Sequence, residues 1–162
     1  MRRLWAPWRA AYVKTATSGG DPGCFLCDCI PTPRKDRANL VLRRGDSCFV
    51  VMNRFPYNVG HLLIAPYRHQ AKLADLKRRE RAEILAQAAA MQAVLDDAFH
   101  CDGHNLGINI GRAAGAGLPG HLHLHLVPRW NGDTNFMPTV GETKVMPVGL
   151  DAVYRELKKR LR

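Results

Sequence analysis

Apolar and polar positions alternate without a break at one point in the chain, His121-Leu122-His123-Leu124-His125-Leu126, and Val127-Pro128-Arg129-Trp130 follow. Successive side chains of a β-strand point to opposite faces, so the alternation predicts a strand with leucines on one face and histidines on the other. A helix would scatter the same histidines around its circumference. The leucines are what a core needs. Three imidazoles buried together would lack both partners and solvent, so the histidine face is expected to front a site. Gly115, Gly117 and Gly120 stand just before this strand, where a backbone without side chains can approach a ligand closely.

Shorter apolar runs predict the rest of the sheet. Leu40 to Arg43 and Cys48 to Met52 read as a hairpin around Arg44-Gly45-Asp46, His61 to Ala65 as a third strand and Leu106 to Ile110 as a fourth. The histidine strand is the fifth. Between the third and fourth strands the period becomes helical: Ile84, Ala88, Met91, Leu95 and Ala98 form one stripe, predicting a long helix from an N-cap at Asp75 to about His100. Val153, Tyr154, Leu157 and Leu161 predict a terminal amphipathic helix. Residues 1–38 read as an irregular arm, punctuated by Gly19-Gly20, Pro22-Gly23 and Pro31-Thr32-Pro33, whose Trp5, Trp8 and Tyr12 call for packing partners. The order of elements predicts a single α+β unit. In it the arm of residues 1–38 packs on a domain of residues 39–162 with a five-stranded, mostly antiparallel sheet, one long helix and a C-terminal helix.

At 162 residues the chain can bury a core without disulfide staples. Lys and Arg outnumber Asp and Glu by 24 to 14, a net charge of +10 that favours polyanions: nucleic acid, nucleotide polyphosphates or an anionic membrane surface. Most basic runs, such as Arg43-Arg44 and Lys158-Lys159-Arg160, read as solvated faces. Lys77 to Arg81 falls in the first turns of the long helix, where cations oppose the macrodipole and Glu80 and Glu83 offset part of the effect. No stretch approaches the ~20 apolar residues of a membrane span. Pro7, Trp8 and Arg9 interrupt any signal-peptide core after Arg2 and Arg3. Five cysteines, an odd number, suit a reduced compartment better than a secreted disulfide framework, and a cytoplasmic protein is expected.

Cys24-Phe-Leu-Cys27 is a second constellation. Taken alone it is a redox pair, two buried thiols or half a zinc site, for which His69 and His121 could complete a tetrahedral Cys₂His₂ set. Cys29 offers an alternative thiolate but reads as a bystander, and Cys48 and Cys101 as small core residues. His61 leads its strand and is expected to support the site by packing or a hydrogen bond. His100 and His104 flank a helix end and are assigned no chemistry. A rival chemistry would use His121 and His123 as ligands of a catalytic metal.

These residues resemble a known family. His121-Leu-His123-Leu-His125-Leu-Val127 is similar to the motif of the histidine triad (HIT) proteins, and Val51-Met-Asn53-Arg-Phe-Pro56 with Gly60-His61-Leu-Leu-Ile-Ala-Pro66 resembles their nucleotide-binding first half. Leu4-Trp5-Ala-Pro7-Trp8-Arg9 and Pro128-Arg129-Trp130-Asn-Gly132-Asp133-Thr-Asn135-Phe136 resemble the branch containing diadenosine tetraphosphate phosphorylases. The likeness spans most of residues 1–140.

The resemblance implies a HIT-like fold and cleavage of a dinucleoside polyphosphate at the α-phosphate through a nucleotidyl-histidine intermediate. His123 would attack phosphorus, its other ring nitrogen held by a backbone carbonyl, while His125 would bond phosphate oxygens or help protonate the leaving group. Amides around Gly117 and Leu118 would stabilise phosphoryl charge, Asn53 would hold the ribose hydroxyls and Asn109 would lie at the phosphate end. A structural zinc on Cys24, Cys27, His69 and His121 would pin the arm and orient His121 beside the nucleophile. Also implied is a homodimer joined sheet to sheet; either water or inorganic phosphate would resolve the intermediate, and neither a membrane nor a stable nucleic-acid partner is expected. Gly117 stands where many relatives have Gln or Ser, and Pro119-Gly120 replaces a more ordinary pair, which bears on substrate preference. A purine nucleoside phosphoramidase and a non-catalytic nucleotide-binding module are the alternatives, and the intact triad argues against the second.

Overall fold

A computed structural model describes residues 23–161. The Leu4–Arg9 segment and Trp5, Trp8 and Tyr12 lie outside the described residues. Five strands form one sheet: β1 (Val41–Arg44), β2 (Cys48–Met52), β3 (Leu62–Pro66), β4 (Gly103–Ile108) and β5 (Leu124–Arg129). Their spatial order is β1-β2-β3-β5-β4, and every neighbouring pair is antiparallel. Among the described residues five α-helices accompany them: α1 (Phe25–Cys29), α2 (Asp36–Asn39), α3 (Arg78–Phe99), α4 (Met137–Val140) and α5 (Leu150–Arg160). Among the described residues no helix is long and apolar enough to cross a membrane.

Both faces of the central strands are covered, which is why β2 and β3 are apolar throughout rather than alternating. On one face the predicted stripe of α3, Ile84, Ala88, Met91 and Leu95, packs with Val153, Tyr154 and Leu157 of α5 over Val50, Met52, Leu62 and Ile64. Met91 and Leu95 are fully buried, worth roughly 1.5–3 kcal/mol each. On the other face Leu26 and Cys29 of α1 cover Val41, Phe49, Val51, Leu63 and Ala65. Arg44 locks α1 in place: its guanidinium pairs with Asp36 at 2.6 Å and donates to the Cys29 carbonyl at 2.6 Å.

Three boundaries differ from expectation. Asp75 does not cap the long helix; it closes a 3-10 turn, and α3 starts at Arg78. The Lys77 N–H is satisfied at 2.6 Å by Glu80, whose carboxylate is in turn gripped by Arg68 at 2.6 and 2.7 Å. The fourth strand is Gly103–Ile108, displaced toward the N-terminus because β4 pairs with the whole of β5, from Gly103 opposite Arg129 to Ile108 opposite Leu124. The histidine strand begins at Leu124, since the Leu122 N–H leaves the ladder for the Gln70 carbonyl at 2.7 Å. The alternation survives this: Leu122, Leu124 and Leu126 all enter the core.

Candidate functional site

His121 is completely buried and faces the arm. Its Nε2 lies 2.8 Å from the carbonyl oxygen of Pro66, at the end of β3. A carbonyl only accepts, so Nε2 carries the proton and Nδ1 presents a lone pair. That lone pair points at sulfur: Cys24 Sγ at 3.2 Å and Cys27 Sγ at 3.5 Å, with His69 Nδ1 3.2 Å from Cys27 Sγ. The four donor atoms lie within 4.8 Å of one another. Burial and the neighbouring Cys24 push the Cys27 thiol up to about 11. A divalent metal reverses that balance, and two sulfurs with two imidazole nitrogens suit a tetrahedral ion. Gly120 belongs to the same structure. A methyl there would stand 2.9 Å from His69 Nε2, so the backbone passes the ring closely enough that a side chain at this position would displace it. Cys29 is not in the cluster; it is buried in the apolar layer with Leu26 and Phe49.

His123 is also buried, and its Nδ1 lies 2.8 Å from the His121 carbonyl oxygen. The expectation that buried imidazoles would lack partners is therefore corrected. His121 and His123 are both buried, and backbone carbonyls satisfy them. His123 Nδ1 must hold its proton against that carbonyl, which leaves Nε2 with the lone pair. Burial lowers the pKa of His123, favouring the neutral ring.

His125 is fixed by a longer chain. The Tyr57 backbone N–H, which only donates, lies 3.0 Å from His61 Nδ1, and the Asn53 side-chain amide adds a 3.3 Å contact. His61 Nδ1 is thus an acceptor and Nε2 carries the hydrogen, which it donates to His125 Nδ1 at 2.9 Å. In its neutral form His125 then bears its proton on Nε2. Burial and the neighbouring histidines hold His61 at about 3, and burial and His123 hold His125 at about 4. His61 fulfils the supporting role expected of it.

A cavity of about 720 Å³ opens beside His123 and His125. Val51, Leu63, Phe25 and Leu118 give it apolar walls, and Asn53, Gly117 and the two histidines supply polar groups. The structure thus brings Asn53, Gly117, Leu118, His123 and His125 together. Asn109 lines a smaller cavity of about 340 Å³ with Asn105, Arg129 and Lys144, and His125 borders both cavities. Tyr57 is a residue that sequence reasoning passed over. It lines both cavities, and its ring stacks on His125 at 5.8 Å between centroids. The available signal was Phe55 and Tyr57 in a polar loop between two buried strands, aromatics with no core to enter.

The family model of the HIT domain matches residues 34–132. The AP-4-A phosphorylase of Mycobacterium tuberculosis (strain CDC 1551 / Oshkosh) is 38% identical over 151 residues, spanning 91% of this chain and 77% of that protein. The asymmetrical bis(5'-nucleosyl)-tetraphosphatase of Schizosaccharomyces pombe is 33% identical over 82 residues, 51% of this chain and 44% of that one. Among solved structures, a zinc-bound histidine triad family protein from Mycobacterium smegmatis superposes with a TM-score of 0.69 at 25% identity, over 88% of this chain and 95% of its own. The matched residues contain the whole sheet and the three alternating histidines, and on that ground the chain belongs to the histidine triad (HIT) family.

Proposed function

We propose that this protein cleaves dinucleoside polyphosphates at the α-phosphate, with His123 as the nucleophile. One observation carries the reading: His123 Nδ1 sits 2.8 Å from a backbone carbonyl, so a neutral Nε2 lone pair is available at the wall of a nucleotide-sized cavity. Nε2 forms a bond to the α-phosphorus as the bridging P–O bond breaks. The nucleotidylated ring keeps its Nδ1 proton and is cationic, so its bond to the His121 carbonyl strengthens as charge develops. The departing polyphosphate leaves as an anion whose last ionisation lies near 6, and it needs no proton. His125 Nε2–H then serves to bond phosphate oxygens rather than to give up its hydrogen. Water or inorganic phosphate attacks the same phosphorus and restores His123.

The apolar walls of the larger cavity suit a base, and Asn53 is placed to meet ribose hydroxyls. Gly117 and Leu118 border the reacting end. Cys24, Cys27, His69 and His121 would hold zinc as a closed structural site, giving the arm a fixed attachment next to the catalytic strand. The names borne by relatives, AP-4-A phosphorylase and bis(5'-nucleosyl)-tetraphosphatase, support the substrate class. A homodimer fits the sheet, because β4 is an edge strand whose Leu106 is 44% exposed, with Ile110 just beyond it 47% exposed. Sedimentation as a monomer would remove that part of the reading.

Product analysis with diadenosine tetraphosphate tests the proposal, with and without inorganic phosphate and beside His123→Ala. ADP with ATP appearing only when phosphate is present, and absent in the variant, identifies a phosphorylase. AMP with ATP in its absence identifies a hydrolase. No cleavage under either condition overturns the substrate class, and adenosine phosphoramidate is then the compound to try.

A further inference from the structure

A second group of metal-ligating side chains lies away from the Cys24 cluster and shares no residue with it. Asp96 in the last turn of α3, Cys101 in the connection and His104 in β4 each offer one donor atom, all within 4.8 Å of one another. Alternation along β4 puts His104 on the same side as Ile108, which packs against the α3 cluster, while Asn105 and Gly107 line the smaller cavity. His104 is therefore turned toward the end of the helix.

The imidazole itself points to a ligand. The His104 side chain is only 6% exposed, and its Nε2 is buried without a hydrogen-bond partner. The nearest carboxylate oxygen, Asp96 Oδ1, stands 3.6 Å off, beyond hydrogen-bond reach. The Cys101 thiol donates to the Leu95 carbonyl at 3.6 Å. The field at this point also favours a cation: the last turn of α3 contains Asp96 and Asp97 and no basic residue, at the negative end of the macrodipole. Asp97 has its own partner, Arg160 at 2.5 Å. Asp96 does not share it.

We propose that Asp96, Cys101 and His104 form a second divalent-metal site that takes Zn²⁺. A thiolate, an imidazole nitrogen and a carboxylate are a borderline-soft donor set suited to zinc, and three protein donors leave a fourth position for water. Binding releases the Cys101 thiol proton to solvent as the Zn–S bond forms, and no other bond changes. The ion ties the end of α3 to the start of β4 across residues 100–103. With three donors, one of them exposed, this site is weaker than a four-donor set.

The test uses the full chain, stripped with chelator and reloaded with Zn²⁺ or Co²⁺. Stoichiometry is read by native mass spectrometry and thiolate coordination by the Co²⁺ charge-transfer band. The expected result is a weaker equivalent that persists in Cys24→Ser/Cys27→Ser and is lost in His104→Ala. Asp96→Asn changes an exposed side chain that the core does not need, and it weakens the same equivalent about ten-fold or more, as loss of one ligand should. If no such equivalent binds, or if it survives undiminished in both His104→Ala and Asp96→Asn, the proposal is overturned.

Discussion

His61 Nε2 lies 2.9 Å from His125 Nδ1, and the Tyr57 backbone amide lies 3.0 Å from the opposite nitrogen of His61. Because a peptide N–H can only donate, the hydrogen positions of both rings follow from one backbone group in the loop after β2. The His125 nitrogen that would meet substrate is a donor because a loop residue makes it so. A residue outside the triad motif thus decides what the third histidine can do.

His61→Ala removes that donor and frees the His125 tautomer. The expected outcome is a fall in kcat of about 10²-fold on diadenosine tetraphosphate, with the metal content of the Cys24 cluster unchanged. His61→Gln retains an amide N–H of similar reach and recovers part of the loss. Equal activity of His61→Ala and wild type would show that His125 needs no such orientation. Equal loss in the Ala and Gln variants would point to packing instead.

Acid should destabilise the protein in a defined window. His61 and His125 are held at about 3 and about 4, while a free imidazole titrates at 6.5. As pH falls through 6.5 the unfolded chain takes up protons that the folded chain refuses, so stability declines from there down to the folded values. For His61, which is 1% exposed, the slope is up to about 1.4 kcal/mol per pH unit. Glu80 acts in the same direction lower down. Hydrogen bonds from Arg68 hold it at about 2, so its contribution is present above the free value of 4.5 and is lost as pH falls toward 2. Urea midpoints should be level above about pH 7 and fall steadily below about pH 6.5. A flat profile down to about pH 5 would mean that the two imidazoles charge in the folded state.

The sheet and the histidines were legible in sequence because their signals are local. Leu122, Leu124 and Leu126 alternate with the triad, and Ile84, Ala88, Met91 and Leu95 repeat at the helical period, so one pattern names both core and site. Cys24 and Cys27 were legible as a C-x-x-C pair, and His69 and His121 were named as their partners through the resemblance. What failed depended on partners distant in the chain. Asp75 looks like an N-cap, yet the N-cap is Lys77, whose N–H is accepted by Glu80 at N3 while Arg68, twelve residues from Glu80, fixes that carboxylate. The start of β5 is set by a bond from Leu122 to Gln70. The Pro66 carbonyl, which fixes His121, leaves no trace in a sequence because every residue has one, and a carbonyl holding His123 was expected only through the resemblance.

Glu83 offers a test of another long-range anchor. Its carboxylate accepts the Asp46 and Ser47 N–H groups at 2.8 Å each, and the Ser47 hydroxyl as well, holding the β1–β2 turn against α3. Glu83→Ala should lower stability by about 1–3 kcal/mol, since the turn amides lose a charged acceptor. Gly45→Ala should do the same by a different route, because a methyl there would overlap the Glu83 carboxylate. Urea denaturation measures both. A change within about 0.5 kcal/mol in each would show that water replaces the carboxylate without loss.

Gly120→Ala separates the proposed metal cluster from the histidines proposed for catalysis. The added Cβ would stand 2.9 Å from His69 Nε2 and 3.5 Å from Cε1. A free, exposed imidazole could swing aside at little cost. A ring coordinated through Nδ1, on the side that faces Cys27, cannot move without leaving the metal. The variant should therefore bind zinc about 10- to 100-fold more weakly, the range expected when the support of a ligand is disturbed. His123 keeps its own bond to the His121 carbonyl, so activity should persist at saturating zinc and decline as chelator is added, at lower chelator concentration than in the wild type. Competition with a chromophoric chelator gives the affinity, and the same titration followed by product formation gives the coupling. Unchanged affinity in Gly120→Ala would mean that His69 is not a ligand, and the tetrahedral set would then need a different fourth donor.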